Sequence, residues 1–170
     1  MPGVISNSSP LINLAIIGRL SLLQVLYGKV LVPQAVWQEV VEDAQGKRGA
    51  EDVERARTEG WIEVVTVRDS SLLPLLRRDL DDGEAEAIAW AIEQAADLIL
   101  LDESDARDIA AFYALRKTGV VGILMRAKLQ GHIASLREEL EKLRTSAGFW
   151  IANELCQQAL VAVGEQDASN

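Results

Sequence analysis

Hydrophobic and polar positions along the chain fall into short β-leaning runs separated by longer stretches of helical period. The runs at 4–7, 29–32, 61–67 and 97–101 are compact, rich in Val, Ile and Leu, and predict strands. A brief further strand is predicted near 119–121. Between them, apolar residues recur at helical spacing over 11–17, 20–26, 51–59, 84–96 and 104–115, and again over 123–130, 135–144 and 153–163. Pro33 suits the first helical position and predicts a helix over 34–44. The stretch 70–80 is ambiguous, because Pro74 interrupts it.

Short strands alternating with helices predict an α/β domain with a mainly parallel sheet. A chain of 170 residues suits one such domain, placed at 1–165, with 166–170 as a loose tail. In parallel sheets ligands gather at the carboxyl ends of strands. Two predicted strands end in a side chain able to hold a metal, Asn7 and Asp102.

Composition narrows the chemistry. Hydrophobic residues at 49% and charged residues at 25% describe a globular chain and exclude disorder or a coiled-coil rod. One cysteine, Cys156, excludes a disulfide framework and a cysteine-based zinc site. One histidine, His132, argues against a multi-histidine metal site or a histidine-centred triad. The net charge of −9 argues against broad nonspecific nucleic-acid binding, though not against an enzyme whose metal ions supply positive charge locally. The apolar stretch 11–26 is broken by Asn13, Gly18, Arg19, Ser21 and Gln24, so neither a membrane span nor a secretory leader is expected. The expected location is the cytoplasm.

What remains is oxygen chemistry. Asn7, Glu39, Glu84 and Asp102 can reach one edge of the sheet, with Glu86 and Asp105 as nearby reserves. Hard oxygen donors without thiolate or imidazole suit Mg²⁺ or Mn²⁺ rather than zinc. Such ions activate water and neutralise charge in phosphodiester hydrolysis. A structural reading stands beside this one: Glu84 or Asp82 complementing a helix N-terminus, and Asp102 capping the helix that follows it.

The run Ser6-Asn7-Ser8-Ser9-Pro10-Leu11-Ile12 resembles the opening of PIN-domain proteins, closest to small prokaryotic PIN-like proteins predicted to bind nucleic acid. The likeness continues through Val32-Pro33, Val36 and Glu39, then Gly83-Glu84-Ala85-Glu86-Ala87-Ile88. It runs on through Leu100-Leu101-Asp102-Glu103 with Arg107, and Thr118-Gly119-Val120-Val121-Gly122 leading to Ala127-Lys128 and Gly131, in order over about 3–150. The resemblance implies a three-layer α/β/α sandwich whose acidic residues bind Mg²⁺ or Mn²⁺ and cut RNA, often as the toxin paired with a small antitoxin protein. Its acidic positions fall on Asn7, Glu39, Glu84 (or Glu86) and Asp102 (Asp105 more weakly). The catalytic set is then Glu39, Glu84 and Asp102. The first position departs from the family, which usually has aspartate there. An asparagine keeps a carbonyl oxygen but removes one negative charge, so a weakened nuclease or a non-catalytic binding module is the alternative.

Around this set, Arg107 has a guanidinium suited to phosphate, or to pairing with Asp102, Glu103 or Asp108. Ser8, Ser9 and Thr118 can donate to phosphate or to water, or form caps and turns. Arg116, Lys117, Arg126 and Lys128 make a modest basic patch. The four tryptophans, Trp37, Trp61, Trp90 and Trp150, are scattered and read as core or interface anchors rather than a stacking platform. Cys156 reads as a small core or interface residue, and His132 as exposed. Leu11 to Leu26 carry more apolar side chains than one helix pair can easily bury against a single small sheet, which predicts a homodimer face. A nucleotide-binding doubly wound fold is disfavoured, because no G-x-G-x-x-G or Walker-type loop follows the first strand.

Overall fold

The computed structural model describes residues 3–68 and 70–165; the expected tail at 166–170 lies outside them. Five parallel strands form one sheet: β1 (Val4–Ser6), β2 (Val30–Pro33), β3 (Ile62–Val65), β4 (Leu98–Leu100) and β5 (Lys117–Thr118), in the order β3-β2-β1-β4-β5. β1 is central, with Val4 opposite Val30 on one side and Leu98 on the other. Its carboxyl end therefore opens between two flanking strands, where the strand order reverses direction.

Ten α-helices connect and cover the strands among the described residues: α1 (Ser8–Ile16), α2 (Leu22–Tyr27), α3 (Gln34–Trp37), α4 (Ala50–Thr58), α5 (Leu73–Leu76), α6 (Asp82–Glu93), α7 (Ser104–Phe112), α8 (Val120–Leu129), α9 (Leu136–Thr145) and α10 (Asn153–Ala162). The period of two along each strand divides the interior into two cores. Val30, Val32 and Leu100 face one core, built with α1, α2, α4, α8, α9 and α10. Ile5, Ile99 and Leu101 face the other, built with α5, α6 and α7. The result is the three-layer α/β/α architecture, with strands buried on both faces as parallel sheets require.

Two local expectations change. Residues 34–44 are not one regular helix: Pro33 ends β2 with extended ψ of 153°, α3 lasts one turn, and a π-helical segment follows over Gln38–Glu42. The fifth strand is Lys117–Thr118 rather than 119–121, because Gly119 turns the chain and Val120 opens α8. The branched pair Val120-Val121 reads as strand locally, but the Val120 N–H is engaged by a carboxylate from another strand end. Much of the apolar excess over 11–26 is buried within the chain, at Leu11, Leu14, Leu20, Leu22 and Leu23, while Val25 stays 54% exposed.

An ion pair between residues distant in sequence closes this larger core. Arg19 donates to Glu139 at 2.7 Å, tying the α1–α2 turn to α9, and Lys142 approaches the same carboxylate at 3.4 Å. No helix among the described residues is long and apolar enough to cross a membrane.

Candidate metal centre and nucleic-acid face

β1 delivers Asn7. Its N–H extends the ladder by donating to the Leu100 carbonyl at 3.0 Å, and its own carbonyl accepts from Ser6 Oγ at 2.9 Å. Asn7 stands at the N-cap of α1, yet its side chain makes no capping bond among the described residues. The side chain is 3% exposed, and Oδ1 is buried without a hydrogen-bond partner among those residues. Capping therefore does not account for this side chain, and its buried amide oxygen is left unexplained.

The π-helical segment brings in Glu39. A π insertion shifts register relative to a regular helix and is common at functional positions. Ser8 lines the same cleft as Glu39, and its Oγ donates to Glu39 Oε2 at 2.9 Å and so orients that carboxylate. Asn7 and Glu39 converge on Gly83 in α6. A Cβ built there would lie 3.3 Å from both Asn7 Oδ1 and Glu39 Oε2, and 3.1 Å from Val36 Cγ2. Glycine is what allows the two oxygens to approach this helix together.

α6 contributes Glu84. Asp81 is its N-cap, accepting the Glu84 N–H at 2.8 Å. The Glu84 side chain is buried, and its pKa rises to about 7. Burial is the main cause, reinforced by Asp81 and by the charges of Glu103 and Glu39. Glu86 takes another path. Its Oε1 accepts the Ala35 N–H at 3.3 Å and its Oε2 lies 4.0 Å from Arg77, which fastens α6 to the start of α3.

β4 leads to Asp102. Asp102 Oδ1 accepts the Val120 N–H at 3.0 Å, so it caps α8 rather than the helix that follows it in sequence. Oδ2 is buried and accepts no hydrogen bond among the described residues. Burial pushes the Asp102 pKa up to about 6, against the pull of Val120 and Arg107. Arg107 Nη1 donates to the Leu101 carbonyl at 3.2 Å and faces the same Gly119 turn. Thr118 Oγ1 reaches the Gly119 carbonyl only weakly, at 3.5 Å. Asp105 is exposed in the first turn of α7, away from both clefts described next.

These groups line two neighbouring clefts. One, of about 310 Å³, holds Asn7, Ser8, Ser9, Glu39, Asp81, Glu84 and Glu103. The other, of about 680 Å³, holds Asp102, Arg107, Lys117, Thr118 and an apolar wall including Phe149 and Trp150, and Glu103 borders both. Asp81 and Glu103 were not among the predicted site residues. The Asp81-x-x-Glu84 spacing is a helix-start signal, and nothing in it marks a second carboxylate facing the cleft. Trp150 is 82% exposed and so is no core residue, while Trp37 and Trp61 are buried in the core.

Among the described residues no three Asp, Glu, His or Cys side chains form a ready-built metal cage. The donor set nonetheless fits a hard divalent cation. Two buried oxygens, Asn7 Oδ1 and Asp102 Oδ2, lack partners, and Mg²⁺ retains several waters while taking only one or two protein carboxylates. A soft or imidazole-seeking metal finds nothing here.

A family model described as a PIN domain matches residues 3–165, and the chain belongs to the PIN-domain family. That family has a nuclease-type fold associated with nucleic acid and generally uses divalent metals. No curated protein matches the chain.

Proposed function

We propose that this PIN-domain chain is a Mg²⁺- or Mn²⁺-dependent endoribonuclease acting in the cytoplasm, the toxin half of a pair with a small antitoxin protein. The observation that carries this reading is Asn7. Its amide oxygen is buried and unpartnered among the described residues, beside Glu39 at the Gly83 cradle. A buried acceptor left bare costs about 1–3 kcal/mol. A hydrated cation at that place removes the penalty.

Asn7, Glu39, Glu84 and Asp102 are the groups that would hold the ion or ions. Bound there, a divalent cation supplies charge neutralisation for phosphate and acidifies water. The rest is the protein's own work. Ser8 keeps Glu39 Oε2 aimed into the cleft. Glu84, raised to about 7 by burial and by Asp81, Glu103 and Glu39, is a carboxyl whose ionised form a bound cation would favour. Arg107 and Lys117 provide positive charge beyond Asp102, on the side where a phosphodiester strand would continue.

A second reading is a binding or regulatory module without turnover. It is supported by the missing charge at position 7 and by the lack of a preassembled acidic cage among the described residues. Cleavage of labelled single-stranded RNA separates the two. The nuclease reading predicts cutting in Mn²⁺ or Mg²⁺ that is abolished by EDTA and by Asp102→Ala, with the fold retained by circular dichroism. Undiminished cutting by Asp102→Ala overturns the site. RNA binding without cutting in either metal favours the module.

A further inference from the structure

Beyond Asp102 the larger cleft changes character from acidic to aromatic and basic. Its outer wall is the turn between α9 and α10, where Trp150 stands 82% exposed. That turn is not a loose tip. The Phe149 N–H donates to the Leu143 carbonyl at 2.9 Å, Arg144 donates to the Ile151 carbonyl at 3.0 Å, and the Ile151 side chain is buried. An indole is thus displayed to solvent on a backbone braced at both neighbours, so its display loses little conformational freedom when a partner covers it.

The floor of the same cleft leads into a basic one. Lys117, Thr118 and Gly122 border both it and an adjoining cleft of about 370 Å³ that also carries Arg116 and Arg126. Lys117 makes no ion pair among the described residues, and Arg126 lies over the Tyr27 ring at 5.4 Å. Lys128, the fourth residue of the predicted basic patch, is turned elsewhere, to the Ala134 carbonyl at 2.6 Å and Glu165 at 3.7 Å. In a chain of net charge −9, a track of three cations running from an exposed indole is a local inversion of charge. An aromatic face next to a cationic groove is the combination that holds unpaired nucleotides, by base stacking and phosphate attraction.

We infer that Trp150 and the Lys117–Arg116–Arg126 track form a single-strand subsite: an unpaired base beside the scissile position stacks on Trp150, and the following phosphates run over the three cations. This rests on the proposed nuclease reading and assigns to the Trp150 indole the contact that requires the base beside the scissile position to be unpaired, because a paired base cannot present its face to it.

The test is fluorescence anisotropy of a labelled oligouridine of about 12 nucleotides with the full chain in EDTA, where turnover does not interfere. Trp150→Ala is expected to weaken binding about tenfold or more, and Trp150→Phe to restore most of it. Arg116→Ala is expected to weaken binding with a shallower salt dependence, and duplex RNA to bind less well than the single strand. An unchanged Kd for Trp150→Ala, in a protein that binds and cuts RNA, overturns the subsite and leaves the nuclease reading standing. Weakened binding by Trp150→Ala without cutting in any metal sinks the nuclease reading and keeps the subsite. A wild-type chain that binds no RNA overturns both. If sedimentation shows a dimer that Trp150→Ala dissociates while RNA affinity stays the same, the indole is covered by a second copy and the inference is wrong.

Discussion

Asp102 and Val120, eighteen positions apart, are joined by a 3.0 Å hydrogen bond from the Val120 N–H to one carboxylate oxygen, while the other oxygen is buried and bare among the described residues. The bond makes one side chain both the cap of α8 and a fixed member of the acidic edge. Gly119, between β5 and α8, is what lets them meet. Its backbone is extended, with φ of −108°, so conformational freedom is not the requirement. Space is: a Cβ at this position would intrude on Asp102 Oδ1 and crowd Arg107 Nη1.

Gly119→Ala is therefore expected to displace the Asp102 carboxylate. Overpacking of this kind costs about 1–3 kcal/mol, and catalysis should fall as far as it does in Asp102→Ala. Thermal unfolding with RNA cleavage checks both parts. A variant with wild-type turnover would show that the position of Asp102 does not matter.

Gly83→Ala separates site from fold. Alanine is the better helix former by up to about 1 kcal/mol, which offsets the tight approach to Val36. Net stability should change by less than about 1 kcal/mol. Asn7 Oδ1 and Glu39 Oε2 must each give way to the new Cβ by a few tenths of an ångström, so Mn²⁺ binding by calorimetry should weaken. Unaltered binding would mean that these two oxygens do not share an ion.

Glu84 and Asp102 predict how stability follows pH. Both have pKa values raised in the folded protein, to about 7 and about 6, chiefly by burial. For an acid raised in this way the favourable contribution is complete below the unfolded pKa and is lost as pH rises through the folded value. Without divalent metal, Tm should fall between about pH 5 and about pH 8, and Glu84→Gln should flatten the slope. After allowance for solvent screening the effect at Glu84 is on the order of 1 kcal/mol, about 2–4 °C. Mn²⁺ should raise Tm more at the alkaline end, where it meets ionised carboxylates. A Tm that climbs equally in wild type and Glu84→Gln over this range would contradict the burial argument.

The Arg19–Glu139 pair tests the fold away from the site. Glu139 is 2% exposed, and removing Arg19 leaves it only Lys142 as a described ion-pair partner. Arg19→Ala should destabilise by about 1–3 kcal/mol, the value reduced because the guanidinium is partly in water. Denaturant unfolding measures it, and an unchanged midpoint would show that the pair contributes nothing net.

Most of the fold was legible because each of the first four strands carries its own signal. Ile5, Ile99 and the Val30–Val32 alternation are apolar on both faces, as buried parallel strands must be, and the intervening helices have ordinary periodicity. What failed was decided by partners distant in sequence. Val120 looks like strand until the Asp102 carboxylate takes its N–H. Residues 38–42 look like ordinary helix, and nothing local announces the π turn that carries Glu39. Part of the apolar surplus of α1 and α2 packs against α8, which lies more than ninety residues later and which no local pattern reveals.

At the site, residue type pointed to oxygen chemistry, and the strand ends pointed to Asn7 and Asp102. Glu84 and Glu86 are two residues apart and equally acidic, so spacing left them tied. Contacts divide them, since Glu86 is engaged by Ala35 and Arg77 while Glu84 faces Asp81 and Glu103. Trp150 had no sequence signal at all, because exposure of an indole depends on the braced turn beneath it.

The central claim is that the Asn7 amide oxygen serves a metal-dependent ribonuclease, and the most direct measurement compares RNA cleavage rates of wild type, Asn7→Ala and Asn7→Asp across a Mn²⁺ titration. The account predicts EDTA-sensitive cutting by wild type and none by Asn7→Ala. Asn7→Asp should cut at about tenfold lower Mn²⁺, because the restored charge strengthens the site. Cutting by Asn7→Ala at the wild-type rate and metal concentration would contradict it.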